Sequence, residues 1–185
     1  TLDLGANGTA TLSLYSVFSS ATDNCGPATP ISVYPESFDC SHIGPQTVYL
    51  LAQDNNGNSA QCSASVIVRD ATPPALICKN VTVTLSASGT GTISASDVFQ
   101  SGSDNCNTVN PPFLSSSSFN CTHIGQNTVH VTASDASGNQ GECLSTVTVR
   151  DITPPTVTCK SYTAILSAAG TASVTPANVF QSGSD

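Results

Sequence analysis

Residues 68–79 read VRDATPPALICK, and residues 149–160 read VRDITPPTVTCK, so an aspartate, a double proline and a cysteine recur in the same order. The interval is 81 residues, and every cysteine keeps it: Cys106 follows Cys25, Cys121 follows Cys40, Cys143 follows Cys62 and Cys159 follows Cys78 by that number. The 185 residues therefore comprise two repeats of 81 and the first 23 residues of a third. A fixed period of this size predicts similar small domains in series.

Each repeat has the pattern of a short-stranded β-sandwich. Charged residues make up only 9% of the chain and Met and Trp are absent, so good helix formers are scarce. In the second repeat, residues 77–89 alternate as strand A, residues 89–99 follow as strand B, and residues 127–134 and 140–151 read as strands F and G. About seven strands in such a unit predict an all-β, immunoglobulin-like sandwich. We expect a linear rod of tandem sandwiches: residues 1–72, lacking the start of strand A, residues 73–153, and residues 154–185, the first strands of a third repeat.

Charge and cysteine content exclude several classes of partner and site. Four basic against twelve acidic residues give a net charge of -8, which repels nucleic acid and anionic membrane surfaces. No stretch reaches the ~18 consecutive apolar residues of a membrane span, so direct membrane insertion is not expected. Eight cysteines without a CxxC pair indicate disulfides rather than zinc. Disulfides in turn indicate an extracellular or cell-surface location.

The cysteines should staple thin cores, since domains of this size bury little apolar surface. Strands A and G run side by side in such a sandwich, so Cys78 and Cys143 are predicted to pair. The other predicted pairs close short loops, Cys25 with Cys40 and Cys106 with Cys121, while Cys62 and Cys159 would bond cysteines of adjacent repeats outside the chain. A bond from Cys62 to Cys78, bridging consecutive repeats, stays open as the alternative.

Aspartates recur at positions that the topology should bring together. Asp70 precedes the double proline, Asp104 lies in the turn between strands B and C, and Asp135 opens the loop between F and G, which also carries Asn139. Strand G ends at the far pole of its domain, so the linker should meet both of these loops of the next domain. Three carboxylates repel one another unless a cation neutralises them, and oxygen ligands suit Ca²⁺ at about 2.3 to 2.6 Å. A calcium site at the junction is therefore predicted.

The same ligand positions recur in the flanking repeats, at Asp23, Asp54, Asn58, Asp151 and Asp185. The alternative is that the aspartates only form Asx-turns and cap loops, where Asp and Asn are favoured in any protein. The double prolines fix backbone angles and make an extended linker stiff. A linker clamped by Asp70 would join the repeats as a rod.

The motifs DATPPALICK, SDNC, VTASDASGN and GECLSTVTVRDITPP resemble the hyalin-repeat (HYR) family. The family consists of immunoglobulin-like modules arrayed in extracellular adhesion proteins, including very long surface and secreted proteins of Bacteroidota-type bacteria. The resemblance covers essentially the whole chain and implies an adhesive or structural role without a specific ligand. Two features depart from it: Lys79 and Lys160 stand where proline is common, and Cys40 and Cys121 are additions that many members lack.

No constellation for catalysis stands out, since the candidate groups recur with the repeat, so no catalytic residue and no enzyme activity are predicted. The chain is predicted to be a structural segment of an extracellular adhesin or filament, a stiff spacer or stalk. The alternatives are a ligand-binding adhesin module and a non-catalytic spacer attached to a secreted hydrolase. Its partners would be adjacent repeats of one long chain or neighbouring fibre subunits, together with an unidentified cell-surface or matrix ligand. Candidate glycosylation sites are Asn7, Asn80 and Asn120.

The incomplete first and third repeats admit two interpretations. Either the chain is a window of a continuous array, which is the interpretation preferred here, or neighbouring chains complete each other by strand exchange.

Overall fold

The computed structural model describes residues 1–106 and 108–184, and these residues form an all-β protein. Its longest helices have four residues, and no helix in the described residues has the length and apolar character needed to cross a membrane. The first repeat contains β1 (Leu2–Asp3), β2 (Thr9–Thr11), β3 (Thr22–Asp23), β4 (Gly26–Tyr34), β5 (Ser37–Asp39), β6 (Gly44–Asp54) and β7 (Ser59–Arg69). The second contains β8 (Ala75–Cys78), β9 (Val81–Thr84), β10 (Thr90–Thr92), α1 (Ala95–Val98), β11 (Phe99–Ser103), β12 (Phe113–Leu114), β13 (Ser118–Asn120), β14 (Gly125–Ser134) and β15 (Gln140–Arg150). The third segment contains β16 (Thr156–Cys159), α2 (Pro176–Val179) and β17 (Phe180–Ser184), and 3-10 turns cover Leu14–Ser16, Cys40–His42 and Cys121–His123.

The second repeat is a sandwich in which strand A changes sheets. One layer is the sheet β12-β14-β15-β9, and the pairs β8–β11 and β10–β13 form the other. The predicted continuous strand A is therefore two strands, because β8 pairs antiparallel with β11 whereas β9 runs parallel to β15. The buried hydroxyl of Ser145 donates a hydrogen bond of 2.8 Å to the carbonyl of Lys79, between the two strands.

The predicted strand B is interrupted in the same way. Between β10 and β11 the chain makes one helical turn, α1, whose first turn carries Asp97. The Asp97 carboxylate accepts a hydrogen bond of 2.7 Å from the backbone N–H of Ser94, and this bond lowers the pKa of Asp97 from its ordinary value. This local cap supplies a partner for an N–H that a helix start leaves without one.

The core of the second repeat comes from the period-two pattern of its strands. Along β14, Val129 and Val131 are fully buried while His130 between them is exposed, as expected for a strand with one face on the core. Phe119 from β13, on the opposite layer, is buried in the same cluster. The remaining buried members are Val83, Leu85, Ile93, Val98, Val147 and Val149.

The first repeat has a similar architecture and its own core. Its main sheet has the order β1-β7-β6-β4-β3, with β1 parallel to β7, and β2 pairs with β5. The core comprises Leu4, Leu12, Val33, Phe38, Val48, Val66 and Val68, and Cys106 of the second repeat packs against it. A residue of the second repeat therefore contributes to the packing of the first.

The third segment is an antiparallel pair of strands, and almost all of its side chains are exposed. β16 pairs with β17 from Thr156 opposite Ser184 to Cys159 opposite Phe180. This register repeats that of β8 with β11, in which Cys78 lies opposite Phe99. The apolar side chains that a sandwich would bury here lie on the surface, including Val157, Leu166, Val174 and Phe180.

We predict that Phe119→Ala costs the second repeat about 3 to 5 kcal/mol in the free energy of unfolding, because it empties the centre of a small core. Phe113→Ala, which truncates a side chain 73% exposed, should change stability by less than about 0.5 kcal/mol. Urea unfolding of the two variants measures both values. Equal effects of the two substitutions would contradict the core described above.

Candidate functional site: the junction of the first two repeats

Three consecutive residues of the second repeat, Asp104, Asn105 and Cys106, form the contact with the first repeat. They follow directly after β11. The Asn105 side-chain amide donates a hydrogen bond of 3.0 Å to the carbonyl of Gly5, and Cys106 forms a disulfide with Cys40. Asn105 and Cys106 thus contact the first repeat directly, and a carboxylate oxygen of Asp104 lies beside them, within 4.8 Å of one from Asp70.

Gly8 allows the two repeats to approach so closely. Its φ of +72° lies in the left-handed region, and a Cβ at this position would come within 2.6 Å of the Asn105 carbonyl oxygen and 3.0 Å of Cys40 Sγ. Any larger residue would push the Asn105 backbone away from the first repeat. The glycine is thus required by the contact between repeats as well as by the turn.

Asp70, Asp104 and Asp135 converge beside this contact. One carboxylate oxygen from each lies within 4.8 Å of the others, which is the grouping expected from the topology. The residues come from the linker, from the loop after β11 and from the loop between β14 and β15. Asp70 is 7% exposed and Asp135 is 2% exposed, so little water can screen their charges.

Part of the hydrogen-bonding capacity of this cluster is unused. Asp104 Oδ2 accepts the N–H of Cys106 at 2.9 Å, but Asp104 Oδ1 is buried and has no partner among the described residues, and the same is true of Asn105 Oδ1. Leaving a buried acceptor unpaired costs free energy, most of all for a charged group. The ion pairs found in the described residues involve Asp39, Asp3 and Glu142, so none of them neutralises this cluster. The arrangement fits a bound cation, since the unsatisfied atoms are acceptors.

Asn139 donates hydrogen bonds to two of the three aspartates, Asp135 and Asp70. Its side-chain amide donates hydrogen bonds of 2.7 Å to Asp135 Oδ2 and 3.2 Å to the Asp70 carbonyl. Its backbone N–H binds Asp135 Oδ1 at 2.8 Å, and the Ser137 hydroxyl binds Asp70 Oδ2 at 3.3 Å. Asn139, a predicted ligand, bridges the linker to the loop through its donor atoms in this structure.

The equivalent residues of the other repeats do not form a second such cluster within the described residues. Asp54 accepts hydrogen bonds from the side chain and backbone of Asn58, and these bonds, the side-chain one first, hold the pKa of Asp54 below its ordinary value. Asp23 accepts the N–H of Cys25 at 3.0 Å, and Asp151 accepts the N–H of Thr153 at 2.9 Å. Asp185 lies outside the described residues.

The disulfides agree with the expectation in one pair and contradict it in two. Cys78 is bonded to Cys143, as expected from the neighbouring strands A and G. The predicted pairs Cys25–Cys40 and Cys106–Cys121 are wrong, because Cys40 is bonded to Cys106, and the alternative Cys62–Cys78 bond is wrong because Cys143 occupies Cys78. The cysteines that remain free and exposed are Cys25, Cys62, Cys121 and Cys159.

The length of strand B, from β10 to β11, explains why Cys106 and Cys121 of the second repeat do not pair. Cys121 follows β13, which pairs with β10 at one end of the sandwich, whereas Cys106 follows β11, whose last residue pairs with Ala75 at the other end. A disulfide needs Cα atoms about 4.4 to 6.8 Å apart, which this separation prevents. Sandwich topology carries this signal, since it puts Cys106 at the pole that faces the first repeat.

The three candidate glycosylation positions, Asn7, Asn80 and Asn120, are all exposed. The Asn120 side chain is already engaged at the start of a 3-10 turn, where its oxygen accepts the N–H of Thr122 at 3.0 Å. Glycosylation of these residues stays a prediction.

Comparison with known proteins identifies relatives for much of the chain. Residues 69–149 match the model of the HYR domain. Hyalin of Strongylocentrotus purpuratus is 34% identical over 160 residues, which are 82% of this chain and 13% of that protein. Hyalin of Lytechinus variegatus is 29% identical over 157 residues, 82% of this chain and 30% of that protein. The chain thus spans less than a third of either hyalin.

Similar solved structures include ectodomain fragments of protocadherins. The EC3-6 cis-dimer structure of protocadherin gammaB7 has a TM-score of 0.36 at 19% identity, over 71% of this chain and 38% of that chain. The extracellular domain of protocadherin GammaB4 has a TM-score of 0.33 at 15% identity, over 74% of this chain and 27% of that chain.

We predict that Cys106→Ser lowers the free energy of unfolding by about 2 to 5 kcal/mol, because the bond to Cys40 closes a loop of sequence separation 66. Cys25→Ser, at the equivalent position of the first repeat, should have no measurable effect because this thiol is free. Urea unfolding under non-reducing conditions measures both, and peptide mapping should recover the Cys40–Cys106 bond from the unmodified protein. Equal stability of the two variants would contradict the pairing.

Proposed function

The chain belongs to the HYR family, and on that premise we propose that it is a structural segment of an extracellular, adhesion-type repeat protein. In this role it is a stiff spacer or fibre-forming stalk whose repeats are tied together at junctions like the one described above. Two disulfides support an oxidising, extracellular location, where such bonds persist. No catalytic step is assigned to it.

The observation that carries the proposal is the carboxylate cluster at the junction. Asp70, Asp104 and Asp135 come from the linker and from two loops of the next repeat, so a cation held by all three ties the linker to that repeat. The buried, unpaired Oδ1 of Asp104 is the ligand atom that gains most from such a cation. We therefore assign Ca²⁺ as the ion that rigidifies the junction.

The donor set favours calcium over other common ions. All the contributing side-chain atoms are oxygens, which are hard ligands, whereas zinc and copper favour nitrogen and sulfur. The ligands lie on loops, and calcium tolerates flexible geometry with six to eight oxygens, while magnesium demands a near-ideal octahedron. The unpaired Asn105 Oδ1 is one further oxygen of the same kind.

The disulfide and the linker prolines restrict motion at the junction, as the cation does. The Cys40–Cys106 bond ties the far end of the first repeat to the near end of the second, and the linker between them carries Pro73 and Pro74. Prolines restrict the linker backbone, the disulfide restricts the distance between the repeats, and the cation restricts the angle of the linker. Together they support a stiff joint rather than a hinge.

We predict that Ca²⁺ raises the melting temperature of the protein relative to EDTA and lengthens its maximum dimension in small-angle scattering. At a calcium concentration of about 100 times the Kd the stabilisation is about 2.7 kcal/mol. Replacing Asp70, Asp104 and Asp135 together by Ala should abolish both effects. Calorimetric titration of the unmodified protein should show one calcium site, since the described residues contain one such carboxylate cluster.

A matched pair of single variants isolates the junction from general effects of charge. Asp104→Asn removes one charge at the cluster and should weaken calcium binding about tenfold or more, whereas Asp23→Asn removes the same charge at the equivalent exposed position and should leave the affinity unchanged. If calcium fails to alter the melting temperature of the unmodified protein, the aspartates serve only as turn residues. Stiffness then depends on the prolines and the disulfide. A saturable glycan or protein ligand would instead favour a ligand-binding module.

A further inference from the structure

One short loop belongs both to the disulfide between the repeats and to the carboxylate cluster. This junction loop, residues 104–106, follows Ser103, the last residue of β11 that pairs with β8. The next pairing along the chain, among the described residues, is the bridge between Val109 and Asp135. Within the described residues no strand pairing therefore includes the junction loop, and its position depends on other contacts.

The first repeat holds the junction loop at two points. Cys106 is bonded to Cys40, and the side-chain amide of Asn105 donates a hydrogen bond of 3.0 Å to the carbonyl of Gly5. The carbonyl oxygen of Asn105 lies 3.6 Å from Cys40 Sγ, so the backbone of the loop packs directly on the disulfide. Reduction of the disulfide removes the covalent contact and leaves the hydrogen bond to Gly5.

The orientation of the Asp104 carboxylate depends on this loop. Asp104 Oδ2 accepts a hydrogen bond of 2.9 Å from the backbone N–H of Cys106, the residue that carries the disulfide. Asp104 Oδ1, on the same carboxylate, is buried and has no partner among the described residues. A fixed Cys106 backbone thus determines where the available oxygen of Asp104 points.

The other two carboxylates of the cluster are held by residues outside the junction loop. Asp135 Oδ2 accepts a hydrogen bond of 2.7 Å from the Asn139 side chain, and Asp70 Oδ2 accepts one of 3.3 Å from the Ser137 hydroxyl. Both donors lie between β14 and β15, within the second repeat. Asp104 is therefore the carboxylate of the cluster whose placement depends on the disulfide.

We propose that the Cys40–Cys106 disulfide and the calcium site are thermodynamically coupled. The bond raises the affinity for calcium, because the loop that carries Asp104 is already ordered when the cation binds. In the reduced protein the cation has to order this loop, so part of its binding free energy is lost. This inference rests on the proposed function, since it requires calcium at Asp70, Asp104 and Asp135.

Coupling between two equilibria is reciprocal, so bound calcium must also stabilise the disulfide against reduction. Coupled sites typically change each other's affinity by roughly 5- to 150-fold, and we expect about tenfold here, because one of the three carboxylates is affected. For a two-electron couple, a factor of ten corresponds to a reduction potential about 30 mV more negative. The joint is accordingly most stable where calcium is present and the surroundings are oxidising.

The redox step is ordinary thiol–disulfide exchange with a dithiol such as dithiothreitol. A dithiothreitol thiolate attacks one sulfur of the Cys40–Cys106 bond and releases the other cysteine as a thiolate. The second dithiothreitol thiol then closes a ring and releases the first cysteine. The electron pair passes to the two cysteine sulfurs, each of which takes up a proton, and the reductant leaves as a cyclic disulfide. Cys40 and Cys106 are both partly exposed, so the reagent can reach them.

The first test compares the calcium affinity of the full chain with and without the disulfide. Calorimetric titration of the Cys40→Ser, Cys106→Ser double variant, at a temperature where circular dichroism shows it folded, should give a Kd about tenfold higher than that of the unmodified protein. The control is Cys78→Ser with Cys143→Ser, which removes a bond that lies within the second repeat. This control should change the Kd by less than about twofold.

A second pair of variants loosens the junction loop while the disulfide stays in place. Gly8→Ala should weaken calcium binding, because a Cβ there would come within 2.6 Å of the Asn105 carbonyl oxygen. The matched control is Gly89→Ala, at the equivalent glycine with φ of +69°, whose Cβ would meet Cys121 Sγ instead. Peptide mapping confirms the Cys40–Cys106 bond in both variants. Equal calcium affinities of the two variants would contradict control of Asp104 by the loop.

The reciprocal effect is measured in dithiothreitol redox buffers of constant ionic strength, with calcium or with EDTA. Acid quenching, alkylation and peptide mapping give the fraction of each disulfide that remains. Calcium should shift the midpoint for Cys40–Cys106 by about 30 mV to more negative potential and leave that of Cys78–Cys143 unchanged. Asp104→Asn should abolish the shift. An equal shift of both disulfides, or a shift that persists in Asp104→Asn, would overturn the coupling.

The outcomes separate this inference from the calcium site itself. If calcium binds the unmodified protein and the Cys40→Ser, Cys106→Ser variant with the same Kd, the site stands and the coupling is wrong. If calcium does not bind the unmodified, oxidised protein, the proposed calcium site and the coupling both fail. A higher Kd in that variant, together with a midpoint shift that requires Asp104, would establish the coupling in both directions.

Discussion

The contact of Asp104, Asn105 and Cys106 with the preceding repeat is the interaction on which the rest of this structure depends. Each repeat has a core of small aliphatic residues with a single phenylalanine, which buries limited apolar surface. The loop after β11 adds a covalent bond and further packing to these cores, because Cys106 is bonded to Cys40 and also packs against the core of the first repeat. In the chain-entropy account such a bond contributes about 4 kcal/mol. That is a large share of the stability of a small domain.

The junction contains a covalent contact, the disulfide, and an electrostatic one, the carboxylate cluster. The disulfide limits the separation of the two repeats, and the carboxylates gather beside it, where Asn139 bridges Asp135 to the Asp70 backbone. A buried acceptor such as Asp104 Oδ1 is costly when it has no partner, and this cost is the physical basis of the proposed cation site.

A repeat of this kind is defined by its contacts with its neighbours as much as by its own core. Cys106 of the second repeat is bonded to Cys40 and packs against the core of the first repeat. Gly8 permits this close approach, because a Cβ at its position would come within 2.6 Å of the Asn105 carbonyl oxygen. The sequence of the first repeat is therefore constrained by the loop of the second as well as by its own core.

The period, the all-β class and the convergence of the aspartates follow from the amino-acid sequence alone. These depend on local alternation and on sandwich topology: Val129 and Val131 alternate with an exposed histidine, and loops at one pole of a sandwich must lie together. The tertiary structure decided the partner of Cys40, the division of strand A between two sheets and the unpaired oxygen of Asp104. A disulfide depends on a distance in space, 5.4 Å between the Cα atoms of Cys40 and Cys106, and residues 66 positions apart reach it only because one repeat packs on the end of another. Spacing along the chain favoured the nearer cysteine, and the length of strand B made that pairing impossible.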